Sequence, residues 1–218
     1  MAIDGMRHSA IHNPERYADK RVAIVGVGTI GSHLALTLAR MQVHFTMYDP
    51  DTVEAHNLAT QAYSRRDIGR YKVDAIARMC EDIGAEPNNA QPAPCKFQGD
   101  EIGYDDYAII ISCVDSLDAR REIARDIIAH QCAAVIIDGR VGGEQVEAYR
   151  YASAEEWLAG LPDQADTDPC GARFTAYTAN ICAGLLANNV KRELLGQSVP
   201  PRILYDAASS TFITPKIA

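Results

Sequence analysis

Three groups of residues near the N-terminus combine types and spacings suited to chemistry on a nucleotide. Gly26-Val27-Gly28-Thr29-Ile30-Gly31 follows an apolar β-branched run at Val22 to Val25 and opens a helical pattern. In that setting glycines let backbone N–H groups and a helix N-terminus approach phosphate oxygens. Asp49 lies 18 residues beyond Gly31, at the end of the next apolar run. A carboxylate there can accept from both hydroxyls of an adenosine ribose. A polar cluster then runs from Asp51 through Asn57, Thr60 and Gln61 to Asp67-Ile68-Gly69 and Lys72. The first two groups suit NAD as well as ATP, and the glycines alone also suit tight helix-on-sheet packing without a ligand. The polar cluster is what separates the ligands.

The elements that must position these residues alternate in type. Val22 to Val25, Val43 to Tyr48, Ile109 to Cys113 and Val135 to Ile137 read as buried strands, and Ile30 to Met41, Lys72 to Ile83 and Ala119 to His130 carry helical periodicity. Gly84 is placed to stop the second helix. This alternation predicts an α/β fold, a Rossmann-like, mostly parallel sheet flanked by helices. Right-handed crossovers bring the glycine loop, Asp49 and Asp115 to one edge. After Gly139 the pattern changes. Glu144 to Tyr151 alternates as an exposed or edge strand, Ala152 to Asp168 is polar, Thr175 to Leu195 is helical, and Arg202 to Ile213 predicts one or two further short strands. Asn88 to Pro94 and Leu161 to Pro169 read as loops.

A length of 218 residues with 47% hydrophobic residues supports one domain over 1–218, divided into an N-terminal extension (1–20), a Rossmann-like core (21–140) and a C-terminal substrate- or partner-binding part (141–218). The net charge of -8 argues against nucleic acid as a partner. No apolar signal core or membrane-length stretch is present, so cytoplasmic residence is expected, without membrane attachment. The six cysteines (Cys80, Cys95, Cys113, Cys132, Cys170, Cys182) include no pair at zinc-knuckle spacing, and no structural zinc is expected. Cys80, Cys113, Cys132 and Cys182 fall in apolar patterns and read as small buried hydrophobes.

The ordered set Gly26 to Gly31 with Ser32, then Asp51-Thr52-Val53-Glu54-Ala55-His56-Asn57-Leu58-Ala59-Thr60-Gln61, then Asp67-Ile68-Gly69 and Lys72, and finally Ser112-Cys113-Val114-Asp115, resembles the ThiF/MoeB/HesA family. These are bacterial relatives of ubiquitin-activating enzymes. Their pattern is GxGxxGS, D-x-D-x-V-E-x-x-N-L-x-R-Q and D-I-G-x-x-K. The resemblance covers residues 20 to 150 and implies an ATP- and Mg²⁺-dependent adenylyltransferase. Its expected substrate is a carboxylate, such as the C-terminal glycine of a ubiquitin-like or sulfur-carrier protein, and a homodimer is expected.

By that resemblance Asp49, Asn57, Lys72 and Asp115 are functional positions. Lys72 supplies an ammonium to the phosphates, Asp115 holds Mg²⁺, Asn57 bonds ribose or phosphate, and Gln61 supports the loop, with Gly26, Gly28, Gly31 and Asp51 completing the nucleotide site. As residues alone, Lys72 also reads as a solvated lysine at a helix start and Asp115 as a helix N-cap. Cys170, before the Thr175 helix, is a candidate acceptor of the acyl group as a thioester or a carrier of sulfur, or simply a tolerated loop thiol.

Two departures stand out. Thr60 occupies the arginine position of the pattern. The N-terminal Arg7-His8-Ser9-Ala10 places alanine where the family brings an arginine into the site, leaving Arg7, Arg16 and Arg140 as substitute cations. These departures keep a nucleotide-binding pseudoenzyme, or the inactive half of a paired activating enzyme, as an alternative. Adenylation of a small-molecule carboxylate and an NAD-dependent oxidoreductase are further readings. No hydride-transfer acid or base stands out for the last.

Overall fold

The structure, a computed structural model, describes residues 11–86, 88–163 and 175–213. Its described strands form one eight-stranded sheet with strand order β3-β2-β1-β4-β5-β6-β7-β8. Strands β1 (Arg21–Val25), β2 (His44–Tyr48), β3 (Ala90–Ala93), β4 (Tyr107–Ser112) and β5 (Val135–Gly142) pair in parallel. From β5 outward, β6 (Gln145–Tyr151), β7 (Arg202–Asp206) and β8 (Thr211–Ile213) pair antiparallel. The mostly parallel sheet with an antiparallel C-terminal third is the architecture that the alternation of elements predicts.

Both faces of the parallel part are buried, as crossover helices require. Along β1, Val22 and Ile24 enter the core under α1 (Thr29–Arg40), α2 (Lys72–Asp82) and α5 (Ala176–Leu194), whereas Ala23 and Val25 enter a second core under α3 (Leu117–Ala129) and α4 (Ala154–Gly160). The period-two exchange between faces explains why these strands read as continuous apolar runs. Helix α2 stops where expected, with Gly84 at φ +89° just past its end.

Three boundaries differ from the sequence reading. Asn88 to Pro94 contains β3, which among the described residues pairs with β2 alone, so Pro92 withdraws no needed ladder donor from an outer strand. Glu144 to Tyr151 is not an edge: β6 is paired on both sides, and Val146 and Ala148 are fully buried. The polar segment from Ala152 holds α4, whose N-cap Ser153 accepts from the Glu156 N–H and which buries Trp157.

Candidate nucleotide site

The carboxy ends of β1, β2 and β4 open on a cavity of about 860 Å³. The first turn after β1 is shaped by backbone crowding. Gly26 has φ +86°, and a Cβ there would lie 3.1 Å from the Cys113 carbonyl oxygen. At Gly31 a Cβ would fall 2.0 Å from the Gly26 carbonyl oxygen, so the loop closes on α1 only without a side chain. Gly28 differs, since a Cβ would meet only Gln61 Nε2 at 3.9 Å; its bareness keeps the cavity side open. Gly28 is also the N-cap of α1, with no side chain capping the first N–H groups, the arrangement in which a helix N-terminus is available to an anion.

Neighbouring segments pin this loop. Val27 N–H donates to Asp49 Oδ2 at 2.9 Å and the Tyr63 hydroxyl donates to the Val27 carbonyl at 2.6 Å. Ser32, next to the third glycine, accepts from the Ala62 N–H at 3.1 Å. The second oxygen of Asp49 accepts from the Asp51 N–H at 2.9 Å, leaving each carboxylate oxygen further acceptor capacity. Burial pushes the Asp49 carboxyl above its ordinary range; the Asp51 N–H, the Lys72 charge and the Val27 N–H oppose that shift without cancelling it.

Asn57 is buried, and its Oδ1 closes a capping box by accepting from the Glu54 N–H at 2.8 Å, so its amide NH₂ is the end left toward the cavity it lines. Lys72 is no solvated lysine: its side chain is 10% exposed and its Nζ donates to Asp51 Oδ2 at 2.8 Å. Asp115 is not the N-cap of α3, because Ser116 takes that role by accepting from the Ala119 N–H at 3.1 Å. Asp115 is exposed at the cavity wall, where its carboxylate could hold a cation that keeps most of its waters. Among the described residues no group of three or more His, Cys, Asp or Glu is placed to hold a metal by itself.

Gly26, Gly28, Asp49, Asp51, Asn57, Thr60, Gln61, Lys72 and Asp115 all line this one cavity, while Gly31 lies behind it in the loop. Among the described residues, Gln61 Oε1 is buried without a partner there. Cys170, Arg7 and Ala10 lie outside the described residues. Cys80, Cys113, Cys132 and Cys182 are buried; burial pushes the Cys80 thiol up to about 12 and raises the Cys113 and Cys182 thiols as well.

A further cluster lines the wall that β5 provides. Asp138 is fully buried and accepts from Arg120 Nε at 3.0 Å, from Arg140 Nε and Nη2 at 2.9 and 2.7 Å, and from Trp157 Nε1 at 3.1 Å. Burial pushes its carboxyl up, but the two guanidinium charges and their hydrogen bonds outweigh this and hold it below the usual carboxylate range. Arg120 and Arg140 both line the cavity, with Lys96 and Phe97 from the segment after β3. Sequence reasoning missed Asp138, Arg120, Lys96 and Phe97. A signal for the first two was available: Asp138 ends an apolar strand run, and Arg120 falls on the inward face of α3 with Ile123 and Ile127.

The fold and this cavity define a Rossmann-like nucleotide-fold protein with a glycine loop at the carboxy edge of its sheet. The chain belongs to the ThiF family, whose model matches residues 9–218. It is 35% identical over 81 residues to the ATP-dependent ubiquitin transferase-like protein Cap2 of Escherichia coli (strain TW11681), covering 35% of this chain and 14% of that protein. It is 31% identical over 132 residues to ubiquitin-like modifier-activating enzyme 5 of Drosophila persimilis, covering 54% of this chain and 34% of the relative. Solved structures share the fold at lower identity. PaaA superposes with a TM-score of 0.70 at 22% identity, over 93% of this chain and 65% of that one. E. coli MccB solved with ATP gives 0.69 at 18%, over 92% and 64%. The chain thus spans at most about a third of these curated relatives and under two thirds of these solved ones.

Proposed function

We propose that the protein is an ATP-dependent adenylyltransferase that activates a carboxylate, with the C-terminal glycine of a ubiquitin-like or sulfur-carrier protein, or of a peptide, as the substrate class. The observation that carries this reading is the convergence of the Gly26–Gly31 loop, Asp49, Asn57, Lys72 and Asp115 around one cavity. Membership of the ThiF family supports it, as do the structures of E. coli MccB with ATP and with MccA.

In this reading Asp49 accepts from the ribose hydroxyls, the open N-terminus of α1 and the Asn57 amide meet phosphate oxygens, and Lys72 neutralises charge that grows on them. A substrate carboxylate oxygen forms a bond to the α-phosphorus. The bond from that phosphorus to the bridging oxygen breaks, and pyrophosphate leaves with the electron pair. Asp115 is the residue that would hold Mg²⁺, which supplies charge neutralisation on the phosphates when bound. A homodimer is part of the same proposal, checked by sedimentation velocity.

Carboxylate-dependent exchange of labelled pyrophosphate into ATP, with candidate carrier-protein tails and small carboxylates offered in parallel, tests the reading. Absence of exchange with every candidate, despite ATP binding by calorimetry, favours the non-catalytic alternative. One observation already leans that way: Thr60, in the arginine position of the family pattern, lines the cavity and carries no charge.

A further inference from the structure

Among the described residues, four side-chain cations other than histidine line the cavity: Lys72, Lys96, Arg120 and Arg140. Their positions follow from the sheet. Tyr48, Val25, Ser112 and Asp138 lie in one register row across β2, β1, β4 and β5. At about 4.8 Å per strand, the row spans roughly 14 Å. Just beyond it, Asp49 marks the β2 end, the glycine loop follows β1, Asp115 follows β4, and Arg140 lies on β5 two residues past the last one paired with β4. Lys72 sits with Asp51, past the end of β2. Arg140, with Arg120 beside it on Asp138, therefore lies at the opposite end of the cavity from Lys72.

Arg140 is also held in a fixed pose with donors to spare. Two of its N–H groups go to Asp138 Oδ2, and its guanidinium carbon lies 4.5 Å from the centre of the Tyr149 ring. A guanidinium has five N–H groups, so donors remain, and its side chain is 19% exposed. Arg120, by contrast, is 3% exposed and bonds Asp138, the Ser116 carbonyl and the Gly139 carbonyl.

We infer that Arg140 receives the oxygen of the carboxylate being activated, and that Asp138 is the positioning residue that aims it. The inference rests on the adenylyltransferase reading. Displacement at the α-phosphorus runs in line, with the entering and leaving oxygens on opposite sides. A site with Lys72 at one end and a tethered guanidinium at the other divides the work accordingly: Lys72 serves the phosphates and Arg140 the entering acyl group. A planar fork suits a carboxylate, or the acyl oxygen it becomes, better than a point charge does.

Binding of two probes separates these roles. AMP reports the nucleotide end alone, and 5′-O-(N-glycylglycyl-sulfamoyl)adenosine adds the acyl group in the position of an acyl-adenylate. Arg140→Ala leaves Asp138 bonded to Arg120 and Trp157, so the fold is expected to persist. The expected result is a wild-type preference for the acyl analogue over AMP that shrinks ~10–100-fold in Arg140→Ala, with AMP affinity held within about twofold. Arg140→Lys is expected to recover only part of the preference, since an ammonium cannot make the fork. Asp138→Asn is expected to reduce the preference in protein shown by thermal unfolding to be folded. An undiminished preference in Arg140→Ala, equal loss for both probes, or a wild type that binds AMP without any preference overturns the inference and leaves the nucleotide reading standing. A wild type that binds neither AMP nor ATP overturns the adenylyltransferase reading itself, and this inference with it.

Discussion

Lys72 Nζ lies 2.8 Å from Asp51 Oδ2, joining a side chain that is 10% exposed to one that is 65% exposed. The same two residues are joined in the main chain, where the Lys72 N–H donates to the Asp51 carbonyl at 2.9 Å. The loop after β2 and the start of α2 are therefore locked together, and the ammonium is held at the cavity wall rather than drifting in solvent.

This lock makes the two partners unequal. Lys72→Met removes the cation itself and is expected to lower pyrophosphate exchange ~100–1000-fold, the range seen when one charge-stabilising donor is removed from an active site. Asp51→Asn keeps the ammonium and the backbone bond, and is expected to retain most of the activity. Steady-state exchange kinetics on both variants check this. Equal loss in the two would mean that Asp51 itself contacts the nucleotide or its metal.

Asp138 and Arg120 carry the fold at the other wall. Their ion pair is 0% and 3% exposed, so removing one partner strands a buried charge. Asp138→Asn or Arg120→Met is expected to destabilise the protein by about 3–5 kcal/mol in urea unfolding. The sign with pH follows from the lowered carboxyl of Asp138. Its stabilisation is fully present above the ordinary unfolded carboxylate value and is lost as pH falls through the lower folded value. Wild-type stability should thus decline below about pH 4, and that part of the decline should be absent in Asp138→Asn. Urea titrations at a series of acidic pH values measure it.

The glycine loop offers a sharper steric test. Gly31→Ala puts a methyl 2.0 Å from the Gly26 carbonyl oxygen, a backbone atom that moves only with the glycine loop. Gly28→Ala meets nothing closer than 3.9 Å and intrudes only on the cavity. Gly31→Ala is therefore expected to lower both the melting temperature and ATP affinity, whereas Gly28→Ala lowers ATP affinity with little change in melting. Differential scanning fluorimetry with and without ATP separates the two. A Gly31→Ala protein that melts like wild type would show that the loop yields easily.

The part of the site built by consecutive parallel strands was legible before the structure. Glycines after one strand, Asp49 after the next and Asp115 after a third must share an edge, because each right-handed crossover returns the chain in the same direction. Asp138 and Arg120 were harder to pair. They stand 18 residues apart on different elements, and only packing of α3 against the sheet brings them within 3.0 Å. β3 was hidden by Pro92 and the two asparagines before it, which signal a turn wherever the chain is not held at a sheet edge. Helix α4 is one short helix with a Ser153-to-Glu156 N-terminal signature, readable in principle but set among polar residues with little periodicity to mark it.

Thr60 provides the test of what the departure from the family pattern costs. It lines the cavity beside Gln61, whose Oε1 is buried without a partner among the described residues, and its own fixed contact is through the main chain, where His33 Nε2 lies 3.1 Å from its carbonyl oxygen. A substitution at Thr60 therefore leaves that contact in place. An arginine introduced here adds a charge to the cavity that Lys72 also lines. Thr60→Arg is expected to lower the KM for ATP ~10-fold, about the effect of one hydrogen bond to a charged group, with the KM for the carboxylate unchanged. Exchange kinetics with each substrate varied in turn check the split. If the KM for ATP does not move, the missing arginine is not what limits nucleotide binding, and the cations already present meet the phosphates unaided. If the carboxylate KM falls instead, Thr60 borders the entering acyl group, and the assignment of the two ends of the cavity is reversed.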